Sequence, residues 1–121
     1  MREELNSFRC AAQGIAYAVR TQKHLRFHLA AALLVAAAAA WLGLEPIEWA
    51  ILLVVMALVI SLEIVNTALE LTIDRIGTER HPLAKAAKDA AAGAVLVASL
   101  FAAAVGVLLL GPPLWDRLFG G

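Results

Sequence analysis

The chain has 121 residues, of which 62% are hydrophobic, with ten basic and ten acidic side chains and a formal net charge of zero. Its mean hydropathy of +0.80 and apolar content exceed the roughly 45–50% apolar usage of soluble domains, which excludes a water-soluble protein and places one domain in a bilayer. Balanced charge without a dense basic run argues against a nucleic-acid partner.

Residues 1–26 mix Arg2, Glu3, Glu4, Arg9, Arg20, Lys23 and Arg26 with isolated apolar positions. That pattern lacks the compact apolar region and cleavage site of a signal peptide, so targeting is expected from the spans themselves. Within it, Phe8, Ala11, Ala12, Ile15, Ala16 and Val19 recur at spacings of three and four. This predicts an amphipathic helix over about Ser7–Lys23, lying on the inner membrane surface or docked on the bundle. The single cysteine, Cys10, cannot form an intramolecular disulfide and is expected to pack as a thiol against neighbours.

Three apolar windows follow. Leu29–Leu44 is short and Ala-rich, and Phe27 and His28 extend it to a first span over 27–44. The connection Gly43–Glu48 is a tight turn in which Pro46 starts the next helix. A second span is predicted over 47–76, its apolar part running from Trp49 to Ile73. Gly77 serves as its C-cap and Pro82 sets the start of the third span, over 83–110. Gly111, Pro112 and Pro113 are expected to stop that helix. Trp41, Trp49 and Trp115 suit the membrane–water interface. The fold class read from this pattern is an all-α integral membrane protein, with an N-terminal surface helix and three transmembrane helices.

Nine of the ten basic residues lie in the N-terminal segment or around the second connection; Arg117 is the tenth. Positive-inside counting places the N-terminus and second connection in the cytoplasm of a cytoplasmic-membrane protein, and the C-terminus outside.

The second window carries Glu63, Asn66, Glu70 and Asp74. On a helix they fall at about 0°, −60°, −20° and +20°, one narrow polar stripe. A carboxylate in hydrocarbon costs at least about 2.5–3.5 kcal/mol on insertion scales, so the stripe must face protein, water or ligand. Its hard oxygens suit Mg²⁺, and a desolvated carboxylate can act as general base. The competing reading is an interhelical clamp of Glu63 and Asn66. Beyond the second connection stand Glu79, Arg80 and His81, then Lys85, Lys88 and Asp89 on one helical face. Lysines at a helix start favour a bound anion, either a phosphate ligand or lipid headgroups. Taken singly, His81 before Pro82 reads as a capping residue. No Walker loop, kinase Gly-rich loop or H-E-x-x-H motif is present, so nucleotide chemistry here needs another scaffold.

The segments Glu63-Ile64-Val65-Asn66-Thr67-Ala68-Leu69-Glu70, Asp74-Arg75 and His81-Pro82-Leu83-Ala84-Lys85-Ala86-Ala87-Lys88-Asp89 resemble the prokaryotic diacylglycerol kinase family. The last of these, with Ser7-Phe8 and Gly14-Ile15, is similar to the family's undecaprenol kinase branch. The resemblance implies an ATP:lipid-alcohol phosphotransferase that works as a homotrimer, with Mg²⁺ and ATP as cofactor and donor. It implies that Glu63 is the general base, that Asn66 orients the centre, and that Glu70 binds the Mg²⁺ of Mg-ATP. Glu79, Arg80, His81, Lys88 and Asp89 match nucleotide-contacting positions, and Asp74 belongs to the same motif. Two positions depart from the family pattern. Gln22 stands where a metal-sharing glutamate is usual, and Cys10 where an aromatic near the nucleotide is usual. The implied acceptor is undecaprenol, with diacylglycerol as the alternative; a non-enzymatic oligomeric channel or scaffold would leave the Lys88–Asp89 cluster unexplained.

Overall fold

The computed structural model describes residues 1–120, and four helices account for almost all of them. They are α1 (Arg2–Thr21), α2 (Lys23–Leu42), α3 (Pro46–Ile76) and α4 (Pro82–Phe119). The last three are each long and apolar enough to cross a membrane. This bears out the expectation of three spans behind an N-terminal helix.

A single residue separates α1 from α2: Gln22, in an extended conformation with φ −110° and ψ 108°. Its N–H donates to the Ala18 carbonyl at 2.8 Å. Arg26, one turn into α2, donates through Nη1 to the carbonyls of Val19 (2.9 Å) and Arg20 (2.8 Å). These are carbonyls that the end of α1 leaves without helical donors, and a cation also suits the negative end of the helix dipole. The surface helix thus starts at Arg2 and ends at Thr21 rather than spanning Ser7–Lys23, because Gln22 breaks it and Arg26 caps the break.

Burial in α1 is confined to Ala18 and, in part, Val19, while Leu5, Phe8 and Ile15 of its apolar face are exposed. That leaves the face open to a membrane surface. Cys10 corrects an expectation: its thiol is exposed rather than packed. It lies eight residues, about 12 Å of helix, before Ala18, where α1 meets the rest of the chain.

Local chemistry fixes the other ends. Pro46 occupies the first turn of α3, and the Glu45 N–H donates to the Glu48 side chain at 3.0 Å. Pro82 opens α4, where His81 Nδ1 accepts from the Leu83 N–H at 3.1 Å, as a capping residue should. The C-cap of α2 is Gly43, in the left-handed region at φ 73°, and the N–H groups of Gly43 and Leu44 both reach the Ala39 carbonyl. Gly77 caps α3 in an extended conformation, φ 179°.

The expected stop at Gly111–Pro113 does not occur: α4 continues through both prolines to Phe119. Proline's fixed φ is itself helical, but the pair removes the donors to the Leu108 and Leu109 carbonyls and its rings crowd those same carbonyls. Contacts beyond the prolines hold the extra turns in place. Arg117 Nη2 donates to the Trp41 carbonyl at 3.0 Å, and its guanidinium lies 4.6 Å from the centre of the Trp41 ring. Trp115 and Phe119 also pack against each other with tilted rings, their centroids 4.7 Å apart. At about 1.5 Å per residue, the 38-residue α4 is about 57 Å long against a hydrocarbon core of about 30 Å, so its ends stand outside that core.

The most extensive interface is between α3 and α4. Buried positions are Leu25 and Ala39 from α2, Leu52 and Val59 from α3, and Val95 and Ala98 from α4. Alanines at such contacts let helices approach closely in lipid, where packing rather than hydrophobic burial drives association. Much of the remaining apolar surface, including Leu33, Leu34, Val54, Leu100 and Phe101, is exposed, as a membrane-embedded chain requires.

The two helix-ending glycines should respond differently to a methyl group, although neither has an atom within 4 Å of a new Cβ. Gly43→Ala should destabilise the protein by about 1–2 kcal/mol, the penalty of a left-handed L-residue. Gly77→Ala should stay within about 0.5 kcal/mol of the parent. Unfolding in detergent measures both; equal effects would contradict the conformational assignment.

Candidate active site

The polar stripe runs along α3 as a gradient of exposure. Glu63 is only 6% exposed, Asn66 and Glu70 are half-buried, and Asp74 is open. Eleven residues of helix separate the first from the last, about 16 Å. The four side chains share a face, as their spacing predicted, yet they sit in different environments.

A buried carboxylate needs a partner. For Glu63 it comes from α2: Oε1 lies 2.9 Å from His28 Nδ1, with side-chain exposures of 7% for Glu63 and 22% for His28. The ring N–H does not point along this line, so the contact is close without being an aligned hydrogen bond. On its other side, His28 Nε2 stands 3.5 Å from Ser99 Oγ of α4. Three helices therefore converge on one imidazole. The buried Thr67 hydroxyl, also near Glu63, donates back to the Glu63 carbonyl at 3.0 Å.

His28 and Ser99 stand beside the apolar groove between α2, α3 and α4, a space of about 720 Å³. Together with the Trp41 indole, they are the side chains with N–H or O–H groups among the described residues that line it; the others include Val35, Val59, Ala102 and Val107. The sequence does not mark His28 or Ser99 as site residues; the signals it offers are an ionisable group at the edge of an apolar span and the lone hydroxyl in the uncharged run Ala90–Leu110.

At the other end of the stripe, Lys88 Nζ donates to Asp74 Oδ1 at 2.6 Å, joining α4 to α3. Lys85 Nζ donates to Asp89 Oδ2, also at 2.6 Å, within α4. Lys85, Lys88 and Asp89 share a face by register, but Lys88 turns toward α3 while Asp89 is held by Lys85. A cleft of about 690 Å³ lies here, lined by Asp74, Glu79, Arg80, His81, Lys85 and Lys88 among others. It brings together most of the residues the sequence grouped around a phosphate. Asp89 does not line it; nor do Gln22, which is half-buried at the α1–α2 hinge, or Cys10.

No group of three or more His, Cys, Asp or Glu side chains is placed to hold a metal ion among the described residues. Mg²⁺ in a phosphate site needs less, one or two protein oxygens beside the substrate's own. Glu70 makes no ion pair among the described residues. One turn away, Asn66 Oδ1 is buried without a hydrogen-bond partner. Those two hard oxygen donors fit a magnesium ion that brings phosphate with it.

Comparison with known proteins identifies the family. A family model described as prokaryotic diacylglycerol kinase matches residues 9–110. The undecaprenol kinase of Bacillus subtilis is 44% identical over 117 residues, covering 93% of this chain and 95% of its own length. A diacylglycerol kinase of Synechocystis is 49% identical over 111 residues, covering 91% of this chain but 63% of its own length. That of Escherichia coli K12 is 40% identical over 80 residues, 66% of each chain.

The Asp74–Lys88 pair is partly solvated, at 53% and 38% side-chain exposure. A double-mutant cycle with Asp74→Asn and Lys88→Gln should give a stability coupling of no more than about 1 kcal/mol. A coupling of several kcal/mol, read from unfolding in detergent, would make the pair a structural clamp instead of an exchangeable one.

Proposed function

We propose that this chain, which belongs to the prokaryotic diacylglycerol kinase family and is a lipid kinase, transfers the γ-phosphoryl group of ATP to undecaprenol. The observation that carries this reading is the polar stripe itself, which runs from a carboxylate buried beside an apolar groove to an open cleft rich in cationic side chains. A lipid alcohol can meet ATP along such a line without leaving the bilayer. Undecaprenol is preferred because the B. subtilis undecaprenol kinase matches over nearly the whole of both chains. Diacylglycerol is the second reading, supported by the higher identity of the Synechocystis relative over a smaller share of its length.

Glu63 provides the base of the site and Asn66 orients the reacting centre. Glu70 holds the metal of Mg-ATP, with the Gln22 side-chain carbonyl as a further neutral oxygen. Magnesium bound there would neutralise charge on the β- and γ-phosphates, which is most of what phosphoryl transfer asks of its surroundings. Glu79, Arg80, His81, Lys88 and Asp89 contact the nucleotide, with Cys10 at its edge. His81 uses Nδ1 for its cap, which leaves Nε2 for a phosphate oxygen. Lys88 is held in place by Asp74 until an anion competes for it.

The cleft opens on the cytoplasm, the side on which nine of the ten basic residues fall, and the C-terminus lies outside. Neighbouring copies in a homotrimer cover the exposed apolar faces and complete the site.

Radiolabel transfer from γ-labelled ATP by the full chain, with undecaprenol and diacylglycerol in matched micelles, tests the proposal. Undecaprenol should be labelled faster, and Glu63→Gln should lower the rate at least about a hundredfold. Labelling of neither lipid sinks the proposal, and full activity in Glu63→Gln removes its base. Gln22→Glu should reduce the Mg²⁺ concentration needed for half-maximal rate, since a charged oxygen replaces a neutral one. An unchanged Mg²⁺ dependence would take Gln22 out of the metal site.

A further inference from the structure

We infer that His28 is the positioning residue for the base: with Nε2 engaged by the Ser99 hydroxyl, its Nδ1–H holds the Glu63 carboxylate in the orientation from which it takes the lipid proton. This rests on the lipid-kinase reading and deepens it at the same site. Glu63 is 6% exposed, and the Thr67 hydroxyl beside it donates to the Glu63 backbone carbonyl at 3.0 Å, not to the carboxylate. Among the described residues, His28 Nδ1, 2.9 Å from Oε1, is the one side-chain atom paired with that carboxylate. A glutamate side chain turns about several bonds, and a reacting group misplaced by about 1 Å can cost a hundredfold in rate. A base of this kind needs a fixed donor to hold it.

The hydrogen-bonding inventory then assigns the proton. A carboxylate ready to take a proton is an acceptor only, and a neutral imidazole has one N–H. With Oε1 2.9 Å from Nδ1, that N–H belongs on Nδ1, because two bare acceptors at this distance repel. Nε2 is then an acceptor, and the group facing it is a hydroxyl, Ser99 Oγ at 3.5 Å, which can donate. One line of donors therefore runs from Ser99 on α4 through His28 on α2 to Glu63 on α3. The other lone pairs of the carboxylate stay free for the lipid hydroxyl. The Nδ1 contact is close without being aligned, and Ser99 stands at the outer limit of hydrogen bonding. Catalytic hydrogen bonds commonly reach full alignment only in the reacting complex.

The place of His28 separates its effect from nucleotide binding. It stands at the buried end of the stripe, whereas Asp74 and the cationic cleft lie about 16 Å of helix away. A change at His28 therefore acts on the base and leaves the cleft as it was. Glu63 touches the reacting hydroxyl in this scheme; His28 and Ser99 act through it. A clamp would need only that α2 and α3 be joined, but orientation needs a donor at the δ position.

Three measurements on the full chain test it. Solid-state ¹⁵N NMR of His28 in membranes should show Nδ1 protonated and Nε2 unprotonated; a proton on Nε2 overturns the inference. In the micelle assay, His28→Leu removes the donor and should lower kcat about ten- to a hundredfold while leaving KM for ATP unchanged. In His28→Asn the amide nitrogen sits near the place of Nδ1 and can still donate to Glu63, so kcat should stay within about threefold of wild type. A His28→Leu enzyme with kcat near wild type, or a His28→Asn enzyme slowed tenfold or more, overturns the inference even though the wild type phosphorylates lipid. Where His28→Leu does not fold, the Nδ1 proton and the His28→Asn rate decide the matter by themselves. A wild type that phosphorylates no lipid alcohol instead overturns the lipid-kinase reading, and this inference falls with it.

Discussion

A carboxylate placed in the middle of a membrane helix is the constraint around which this chain is arranged. An ionised group there costs at least about 2.5–3.5 kcal/mol on insertion scales, and more without a partner. Glu63 meets that demand through His28, which α2 must deliver to the right depth. The one-residue hinge at Gln22 and the hydrogen bonds from Arg26 to the end of α1 fix where α2 begins. His28 then falls less than a turn after Arg26. Features that look like local capping chemistry therefore set the position of the side chain that faces the buried acid.

From Glu63 the same face of α3 leads outward through Asn66 and Glu70 to Asp74, and each step changes the surroundings from hydrocarbon toward water. The apolar groove reaches the inner end of this line at His28 and Ser99, and the cationic cleft lies at the outer end. Phosphoryl transfer needs positioning and charge neutralisation more than elaborate covalent chemistry. On the proposed reading, a straight helix that presents Glu63 as base near the groove and Glu70 as metal ligand two turns nearer the cleft would supply both. The ion pair between Lys88 and Asp74 holds the first turns of α4 beside that helix.

Much of this was legible in the sequence, and for identifiable reasons. Hydropathy set the three spans, Pro46, Gly77 and Pro82 marked real helix ends, and the spacing of Glu63, Asn66, Glu70 and Asp74 put them on one face. Those are local properties. What escaped was set by contacts between distant segments. The prolines at 112 and 113 read as a stop, but Arg117 reaches Trp41, 76 residues away, and α4 continues. Cys10 read as a buried thiol, yet α1 meets the bundle only near its far end. His28 looked like the polar boundary of a span, because nothing local says that it faces Glu63, 35 residues on. The exposed ends of the stripe were easier to read than its buried end, where the partner lies on another helix.

The account stands or falls on the contact between Glu63 and His28 in a real bilayer. A solid-state NMR measurement of dipolar coupling between ¹³C at Glu63 Cδ and ¹⁵N at His28 Nδ1, on the full chain in membranes, reads it directly. A strong coupling at hydrogen-bond range is the predicted result. A vanishing coupling would mean that the buried acid has some other partner, and the account of how this chain holds a carboxylate inside the membrane would be contradicted.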